Sequence, residues 1–199
     1  MSEDHTHVQE FFGTRAADWD RKFPDDGPAF ATAVAEFGLR TGDRVLDAGC
    51  GTGRALTELR AAVGPSGTVL GADLTPQMLA EAVRAGRRTA GALLLADVAR
   101  LPLRDGCLDA VFAAGLIAHL PDPGANLREL ARVVRSGGRL ALFHPIGRAA
   151  LAARQGRELT PEDMRARHNL GPLLAGSGWE MTAYADEDAR FLAMAVRRP

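Results

Sequence analysis

The chain has 199 residues, 46% of them hydrophobic and 25% charged, a balance typical of one soluble globular domain large enough to bury its own core. Its formal net charge of −1 argues against a dedicated nucleic-acid binder, which carries a basic excess. No apolar run approaches the roughly 20 residues of a membrane span, no signal peptide is visible, and two cysteines are too few for a disulfide framework, so we expect a cytoplasmic protein.

The first 40 residues have helical character. Apolar side chains recur at helical spacing, at Val8, Phe11, Phe12, Trp19 and Phe23. This pattern predicts an amphipathic N-terminal helix, and we expect residues 1–40 to form a helical cap on the rest of the chain.

From residue 44 onward, short apolar runs alternate with helical patterns. Strand-like runs lie at 44–47, 68–72, 92–96, 108–114 and 139–143. Helical patterns lie between them, at 55–63, 78–83 and 126–135. Thr75 and Pro76 predict the N-cap and first residue of the second helix, and the glycines of 136–138 predict the C-cap of the third. Such alternation predicts a parallel sheet covered by helices on both faces.

The C-terminal part has a different pattern. Residues 148–168 are charged and helix-prone, with a helix start predicted at Thr160, and we expect 146–178 to be a lid or substrate-recognition segment. Its arginines could attract an acidic substrate, or belong to solvated helices balanced by nearby acids. Runs at 179–185 and 190–196 predict an antiparallel hairpin. We therefore expect one domain over 1–199, an α/β fold with a doubly wound, mostly parallel, seven-stranded Rossmann-like sheet and an antiparallel C-terminal hairpin.

A glycine-rich loop follows the first strand, with the sequence Asp-Ala-Gly-Cys-Gly-Thr-Gly at 47–53. Glycines permit a tight turn and close approach of a ligand to the main chain, and the next helix points free N–H groups at that ligand. The spacing differs from that of dinucleotide enzymes, and the absence of a following lysine excludes a phosphate P-loop. Asp47 would repel a pyrophosphate but suits a ligand with an amino group; alternatively, it caps the loop.

Two more acids follow the next two strands. Asp73 ends the second strand, where a carboxylate can accept hydrogen bonds from both ribose hydroxyls, as in NAD enzymes. Asp97 ends the third strand, where it could contact the amino edge of adenine together with the Val98 backbone, or simply be a solvated turn residue. Because parallel strands end at the same edge of a sheet, these acids predict an adenosine-type site.

These segments are similar to the motifs of class I S-adenosylmethionine (SAM)-dependent methyltransferases. The glycine loop at 45–53 resembles the first motif, and 71–79 resembles the second-strand motif. Residues 96–112 and 130–138 resemble the segments around the third, fourth and fifth strands. The resemblance spans roughly 8–145 and points to the ubiquinone/menaquinone-biosynthesis-like small-molecule group, methyltransferase type 11. It implies methyl transfer from SAM to a small-molecule acceptor, with S-adenosylhomocysteine as product.

The resemblance also implies cofactor contacts at matching positions. Those expected at the methionine portion of SAM are Asp47, Gly49, Cys50, Gly51 and Ala114. Those expected at the ribose and adenine are Asp73, Leu74, Met78, Asp97 and Val98. The family's N-terminal helix often folds over the cofactor, which would bring Phe12, Arg15 or Trp19 close to it, with Trp19 where a tyrosine is usual.

Methyl transfer from a sulfonium needs alignment above all, although the acceptor may require a base. His119 after the fourth strand and His144 at the end of the fifth are the catalytic candidates, and His168 and Tyr184 are further pocket residues. No acidic cluster of the catechol-methyltransferase type follows the fourth strand, so we expect no metal.

Two other functions stay open at this point. An NAD(P)-linked oxidoreductase shares the fold and the ribose acid, and a non-catalytic methyltransferase-like binding domain would share the whole loop. A small-molecule partner is favoured over nucleic acid, with no membrane span, and the oligomeric state is not encoded in any visible pattern.

Overall fold

One seven-stranded sheet runs through the molecule. The computed structural model describes residues 3–199, apart from the side chains of 3–5 and 25. The strands are β1 (Arg44–Ala48), β2 (Thr68–Asp73), β3 (Ala92–Leu95), β4 (Leu108–Ala114), β5 (Val134–His144), β6 (Trp179–Glu187) and β7 (Arg190–Arg197). Their order in the sheet is β3-β2-β1-β4-β5-β7-β6.

The first five strands are parallel, and the last two are antiparallel. β1 pairs with β2 and β4, and the parallel ladder continues to β3 on one side and β5 on the other. β7 pairs antiparallel with both β5 and β6, so the C-terminal hairpin extends the sheet through its second strand. This confirms the predicted α/β fold with a doubly wound, mostly parallel sheet.

Helices cover both faces of the sheet. They are α1 (Glu3–Gly13), α2 (Trp19–Lys22), α3 (Gly27–Phe37), α4 (Leu56–Val63), α5 (Pro76–Arg84), α6 (Pro123–Val133), α7 (Arg148–Arg154) and α8 (Arg167–Gly176). Successive strand residues point to opposite faces, so Val45 joins the core under α3 and α4 while Leu46 joins the core under α6 and α8. Strands buried on both faces read as continuous apolar runs, which is why they were visible in the sequence.

The N-terminal amphipathic helix is shorter than its apolar pattern predicts. The prediction of one helix through Phe23 is wrong, because α1 ends at Gly13 and Trp19 opens a separate short helix. The Thr14 hydroxyl donates to the carbonyls of Glu10 and Phe11, which ends the helical pattern there.

The glycines of residues 136–138 do not cap α6, which corrects the prediction. The chain leaves α6 at Val133 and is already extended at Val134. Gly137, with φ of +71°, and Gly138 form a bulge inside β5, where the register against β4 shifts. A Cβ on Gly138 would lie 2.8 Å from the Asp109 carbonyl, so this glycine permits close strand packing.

The predicted helix start at Thr160 is also wrong. Residues 155–166 form turns, and α8 begins only at Arg167. The Asp163 carboxylate accepts the Arg165 N–H at 2.8 Å, and the Pro161 carbonyl binds the Asn169 side chain at 2.7 Å. These local side-chain bonds compete with the helical ladder and hold the segment in a non-helical form.

Candidate cofactor and acceptor site

A cavity of about 1140 Å³ opens at the carboxyl ends of β1, β2 and β4. Ligands of open α/β sheets bind at this edge. All residues predicted to bind the cofactor line it, together with both catalytic candidates: Trp19, Asp47, Gly49, Cys50, Gly51, Asp73, Leu74, Met78, Asp97, Val98, Ala114, His119 and His144. Phe12 and Arg15 also line the cavity, whereas His168 and Tyr184, the further pocket candidates, are not among its lining residues.

The glycine-rich loop has a backbone that only glycine adopts easily. Gly49 and Gly51 have φ of +67° and +54°, in the left-handed region. A Cβ on Gly49 would lie 2.8 Å from Cδ1 of Leu116, whereas one on Gly51 would meet only the Met78 sulfur, at 4.0 Å. Cys50 anchors the turn by donating its N–H to the Ala72 carbonyl at 3.0 Å. The loop is therefore pressed against the β4 side and leaves main chain exposed to the cavity at Gly51.

Asp47 is the most unusual group in the cavity wall. It is 1% exposed, and its Oδ1 has no hydrogen-bond partner among the residues that the structure describes. Burial, with a further contribution from the charge of Asp73, raises the pKa of this carboxyl to about 8. Oδ1 of Asp47 accepts no hydrogen bond from the loop, so the alternative that Asp47 caps the loop has no support at this atom. A buried acceptor without a donor is costly, which suits a ligand that brings a donor or a positive charge.

Asp73 is held in a fixed orientation at the end of β2. Its Oδ2 accepts the Gly51 N–H and its Oδ1 accepts the Thr75 N–H, both at 2.8 Å. Burial raises the pKa of Asp73, and these N–H donors oppose the rise. Each carboxylate oxygen retains a second lone pair, so two further donors can bind side by side. Thr75 is the N-cap of α5, as predicted, although its hydroxyl makes no capping bond.

The remaining cofactor candidates lie around these acids. Asp97 accepts the Ala99 N–H at 2.8 Å in a tight turn, while Val98 is buried beside it. Met78 is buried below the glycine loop. The Leu74 carbonyl accepts a hydrogen bond from Gln9 at 2.8 Å, which ties α1 to the end of β2.

His119 lies under an aromatic cluster from the N-terminal segment. Its ring centroid is 5.0 Å from that of Phe12, which in turn is 5.6 Å from Trp19. Burial, together with the charge of Arg165, lowers the pKa of His119. The imidazole is therefore neutral at pH 7 and has one nitrogen free of a proton.

His144 is bound to the chain just after it. Its Nδ1 lies 2.8 Å from the Ile146 carbonyl oxygen and 3.1 Å from the Ile146 nitrogen. Burial lowers its pKa most, the contact with Ile146 raises it, and the charge of Arg165 lowers it further. This ring too is neutral at pH 7.

Residues 46–142 match the family model described as a methyltransferase domain. Residues 46–142 therefore carry a SAM-dependent methyltransferase domain. The chain is 32% identical over 149 residues to demethylmenaquinone methyltransferase of Lactococcus lactis, covering 69% of this chain and 59% of that protein. It is 41% identical over 135 residues to trans-aconitate 2-methyltransferase of Methylobacterium nodulans, covering 65% and 50%. The chain spans about half the length of the curated relatives it matches.

The fold of the methyltransferase domain is also found in solved structures. The crystal structure of magnesium protoporphyrin IX methyltransferase from Synechocystis with bound S-adenosylhomocysteine superimposes with a TM-score of 0.74 at 20% identity. The superposition covers 96% of this chain and 99% of that one. At this identity the likeness establishes the shared fold.

A strap that no sequence pattern predicts ties the N-terminal segment across the glycine loop of the methyltransferase domain. Thr52 donates to Asp20 at 2.7 Å, and Arg87 pairs with Asp20 at 2.6 Å. Arg54 pairs with Asp26 at 3.0 Å and also donates to the Phe23 carbonyl. The partners lie about thirty residues apart or more in sequence, so no local spacing could reveal them.

Among the described side chains, those of 6–24 and 26–199, no three or more His, Cys, Asp or Glu converge so as to hold a metal ion. No helix in that part of the chain combines the length and the hydropathy needed to cross a bilayer.

Proposed function

We propose that this protein transfers a methyl group from SAM to a small-molecule acceptor. The observation that carries the proposal is the unpartnered Oδ1 of Asp47, buried in the cavity wall beside the glycine loop. SAM has an α-ammonium group that can supply the missing donor and favour the ionised form of this carboxyl, and it has no phosphate whose charge would oppose that ionisation. A dinucleotide would place a pyrophosphate near this loop, where Asp47 and Asp73 are unfavourable neighbours.

The rest of the cavity fits the remainder of the cofactor. Asp73, already oriented by two N–H donors, has acceptor capacity for the two ribose hydroxyls. Asp97, Val98 and Met78 line the same cavity. We propose that Asp97 and Val98 bind the adenine amino edge, with Met78 as an apolar support. Bound SAM supplies a methyl group on a sulfonium, and on transfer the carbon–sulfur bond breaks with its electron pair on sulfur. The domain contributes alignment and exclusion of water.

A small molecule is the proposed acceptor. The relatives are named for methylation of demethylmenaquinone and trans-aconitate, both small molecules. We also propose that 1–199 act as one domain, with 1–40 as a cap over the cofactor and 146–178 as the segment that faces the acceptor. Both cysteines are free thiols, which supports the proposed cytoplasmic location.

Calorimetric titration with S-adenosylhomocysteine, with NADH in parallel, tests the cofactor. We expect saturable micromolar binding of S-adenosylhomocysteine and none of NADH. Asp73→Ala should weaken binding by about tenfold or more, because charge-assisted hydrogen bonds to the ribose are lost. Asp105→Ala, at an exposed carboxylate outside the cavity, is the matched control and should bind normally. Binding of NADH alone would overturn the proposal.

A further inference from the structure

Three of the basic side chains that line the cavity come from separate segments outside the proposed cofactor contacts. His119 follows β4, His144 ends β5, and Arg165 lies in the turn segment before α8. We call His119, His144 and Arg165 the basic cluster. None of the three belongs to the glycine loop or to the acids beside it, so the proposed cofactor contacts do not account for them.

Arg165 is held firmly in this position. Its side chain is 12% exposed, and its Nη2 pairs with Asp163 at 3.1 Å. The Tyr184 hydroxyl donates to the Arg165 carbonyl at 2.9 Å, which fixes the main chain. Asp163 is shared with Arg148, which also pairs with Asp186 at 2.9 Å. Among the side chains and main chain that the structure describes, Nη1 of Arg165 has no hydrogen-bond partner, so the guanidinium keeps a donor for a ligand.

The positive end of this ion pair acts on both histidines. The charge of Arg165 lowers the pKa of His119 and of His144. Asp26 partly opposes the effect at His144, and His119 adds to it. This part of the cavity therefore combines an arginine charge with two neutral imidazoles, an arrangement that favours an anionic oxygen.

The two contacts at Nδ1 of His144 suit different tautomers. The Ile146 carbonyl oxygen, 2.8 Å away, accepts a proton carried on Nδ1, whereas the Ile146 N–H, 3.1 Å away, donates to an unprotonated Nδ1. In the tautomer with the proton on Nδ1, Nε2 is a free acceptor. The opposite edge of the ring faces the loop after β4, since a Cβ on Gly115 would lie 3.9 Å from Cδ2. The shorter contact, to the Ile146 oxygen, corresponds to the tautomer in which Nε2 can act as a base.

The walls around the basic cluster are apolar and partly aromatic. Phe12 packs edge-on to His119 with centroids 5.0 Å apart. Phe11 and Leu159 line the cavity yet are 40% and 42% exposed, which is unusual for large apolar side chains. They stand on α1 and on the segment between α7 and α8, where an apolar ligand would cover them.

We propose that the acceptor is an aromatic molecule with an acidic hydroxyl group, that Arg165 binds its oxygen as an anion, and that His144 accepts its proton. The O–H bond breaks, its electron pair stays on the acceptor oxygen, and the proton passes to Nε2 of His144. The oxygen is then the methylated atom. This inference rests on the proposed function for the methyl transfer, but the subsite itself can be tested without it.

The test uses 4-nitrophenol, whose anion absorbs visible light, and its neutral analogue nitrobenzene, with the full chain and no cofactor. Bound 4-nitrophenol should be ionised to a greater extent than the free probe at the same pH. Arg165→Gln should abolish this increase and weaken binding of the anion by about tenfold or more, while nitrobenzene binds as before. Arg135→Gln is the matched control, because Arg135 also pairs with a carboxylate, Asp109 at 2.7 Å, but is not among the lining residues of the cavity.

Arg165→Lys keeps the positive charge, so bound 4-nitrophenol should stay partly ionised in this variant. If Arg165→Gln also weakens nitrobenzene binding, the ionisation in Arg165→Lys distinguishes loss of the charge from damage to the cavity. An ionised fraction equal to that of the free probe, or an increase that survives in Arg165→Gln, would overturn the inference. Because neither measurement involves S-adenosylhomocysteine, its calorimetric titration reports separately on the proposed function.

Discussion

Thr52 in the glycine-rich loop donates a hydrogen bond to the carboxylate of Asp20, at 2.7 Å and 32 residues earlier in the chain. The other oxygen of that carboxylate pairs with Arg87, whose guanidinium also donates to the Thr52 carbonyl at 2.8 Å. One carboxylate thus links the N-terminal segment, the glycine loop and the turn after α5. We expect this link to hold the N-terminal segment, which lines the cavity through Trp19 and Phe23, against the glycine loop.

Asp20→Ala should therefore speed cofactor release. It removes the bonds to Thr52 and Arg87 together, and we expect S-adenosylhomocysteine to dissociate about three- to tenfold faster, as for the loss of one exposed, charge-assisted link. Stopped-flow displacement measures this rate. Asp18→Ala is the control, since Asp18 pairs only with exposed Arg21 in the same segment. Equal dissociation rates for the two variants would contradict a role for the strap.

Asp47→Asn should change how stability depends on pH. The pKa of Asp47 rises from 3.8 to about 8 on folding, so between these values the folded protein holds a proton that the unfolded chain has lost. Stability of the unliganded wild type should thus fall with rising pH relative to Asp47→Asn, by up to about 1.4 kcal/mol per pH unit, and level off above pH 8. Urea unfolding at pH 5 and pH 8 measures the difference, and parallel pH dependences would refute it.

Binding of S-adenosylhomocysteine should release a proton. At pH 6.5 the Asp47 carboxyl is protonated in the unliganded protein, because its pKa is about 8, and an ammonium group beside it favours the carboxylate. Affinity should therefore rise with pH up to about pH 8. Titration calorimetry in phosphate and in Tris measures the released proton, because the two buffers differ in ionisation heat. In Asp47→Asn the buffer dependence should vanish, and its persistence there would assign the proton to another group.

Tryptophan fluorescence should report cofactor binding through Trp19 alone. Trp19 lines the cavity, whereas Trp179 is fully buried and donates its indole N–H to the Leu127 carbonyl at 2.9 Å. These are the two tryptophans of the chain. We expect S-adenosylhomocysteine to change the emission of wild type and Trp179→Phe but not of Trp19→Phe. A response that follows Trp179 instead would exclude Trp19 from the cofactor's surroundings.

Arg165→Gln should raise the pKa of both histidines of the basic cluster. The charge of Arg165 disfavours each imidazolium, so its removal lets both rings bind a proton at higher pH. Nuclear magnetic resonance titration of the imidazole C–H signals measures the shift, with assignments from His119→Gln and His144→Gln. Arg135→Gln should leave both titrations in place. Unchanged titrations in Arg165→Gln would remove the electrostatic basis of the oxyanion subsite.

Local sequence predicted most of the sheet and failed where side chains compete with the main chain. The run at 108–114 coincides with β4, and the hairpin runs match β6 and β7 within two residues at each end. α6 begins at Pro123, three residues before the predicted start at 126. Asp122 caps this earlier start by accepting the Ala125 N–H at 2.9 Å. At Thr160 the sequence predicted a helix start where none forms. Asp163 accepts the Arg165 N–H in a local turn instead of supporting a helix.

The sequence by itself determined the alternation of strands and helices, the glycine loop and the acids that follow β1, β2 and β3. These features are readable because burial on both faces imposes continuous apolar runs, and because parallel strands end at one edge of a sheet. Only the tertiary structure decided the break after α1, the bulge at Gly137, the strap through Asp20 and the meeting of Arg165 with His119 and His144. Each depends on groups far apart in the chain or on competing side-chain hydrogen bonds, and no local pattern encodes which of these interactions wins.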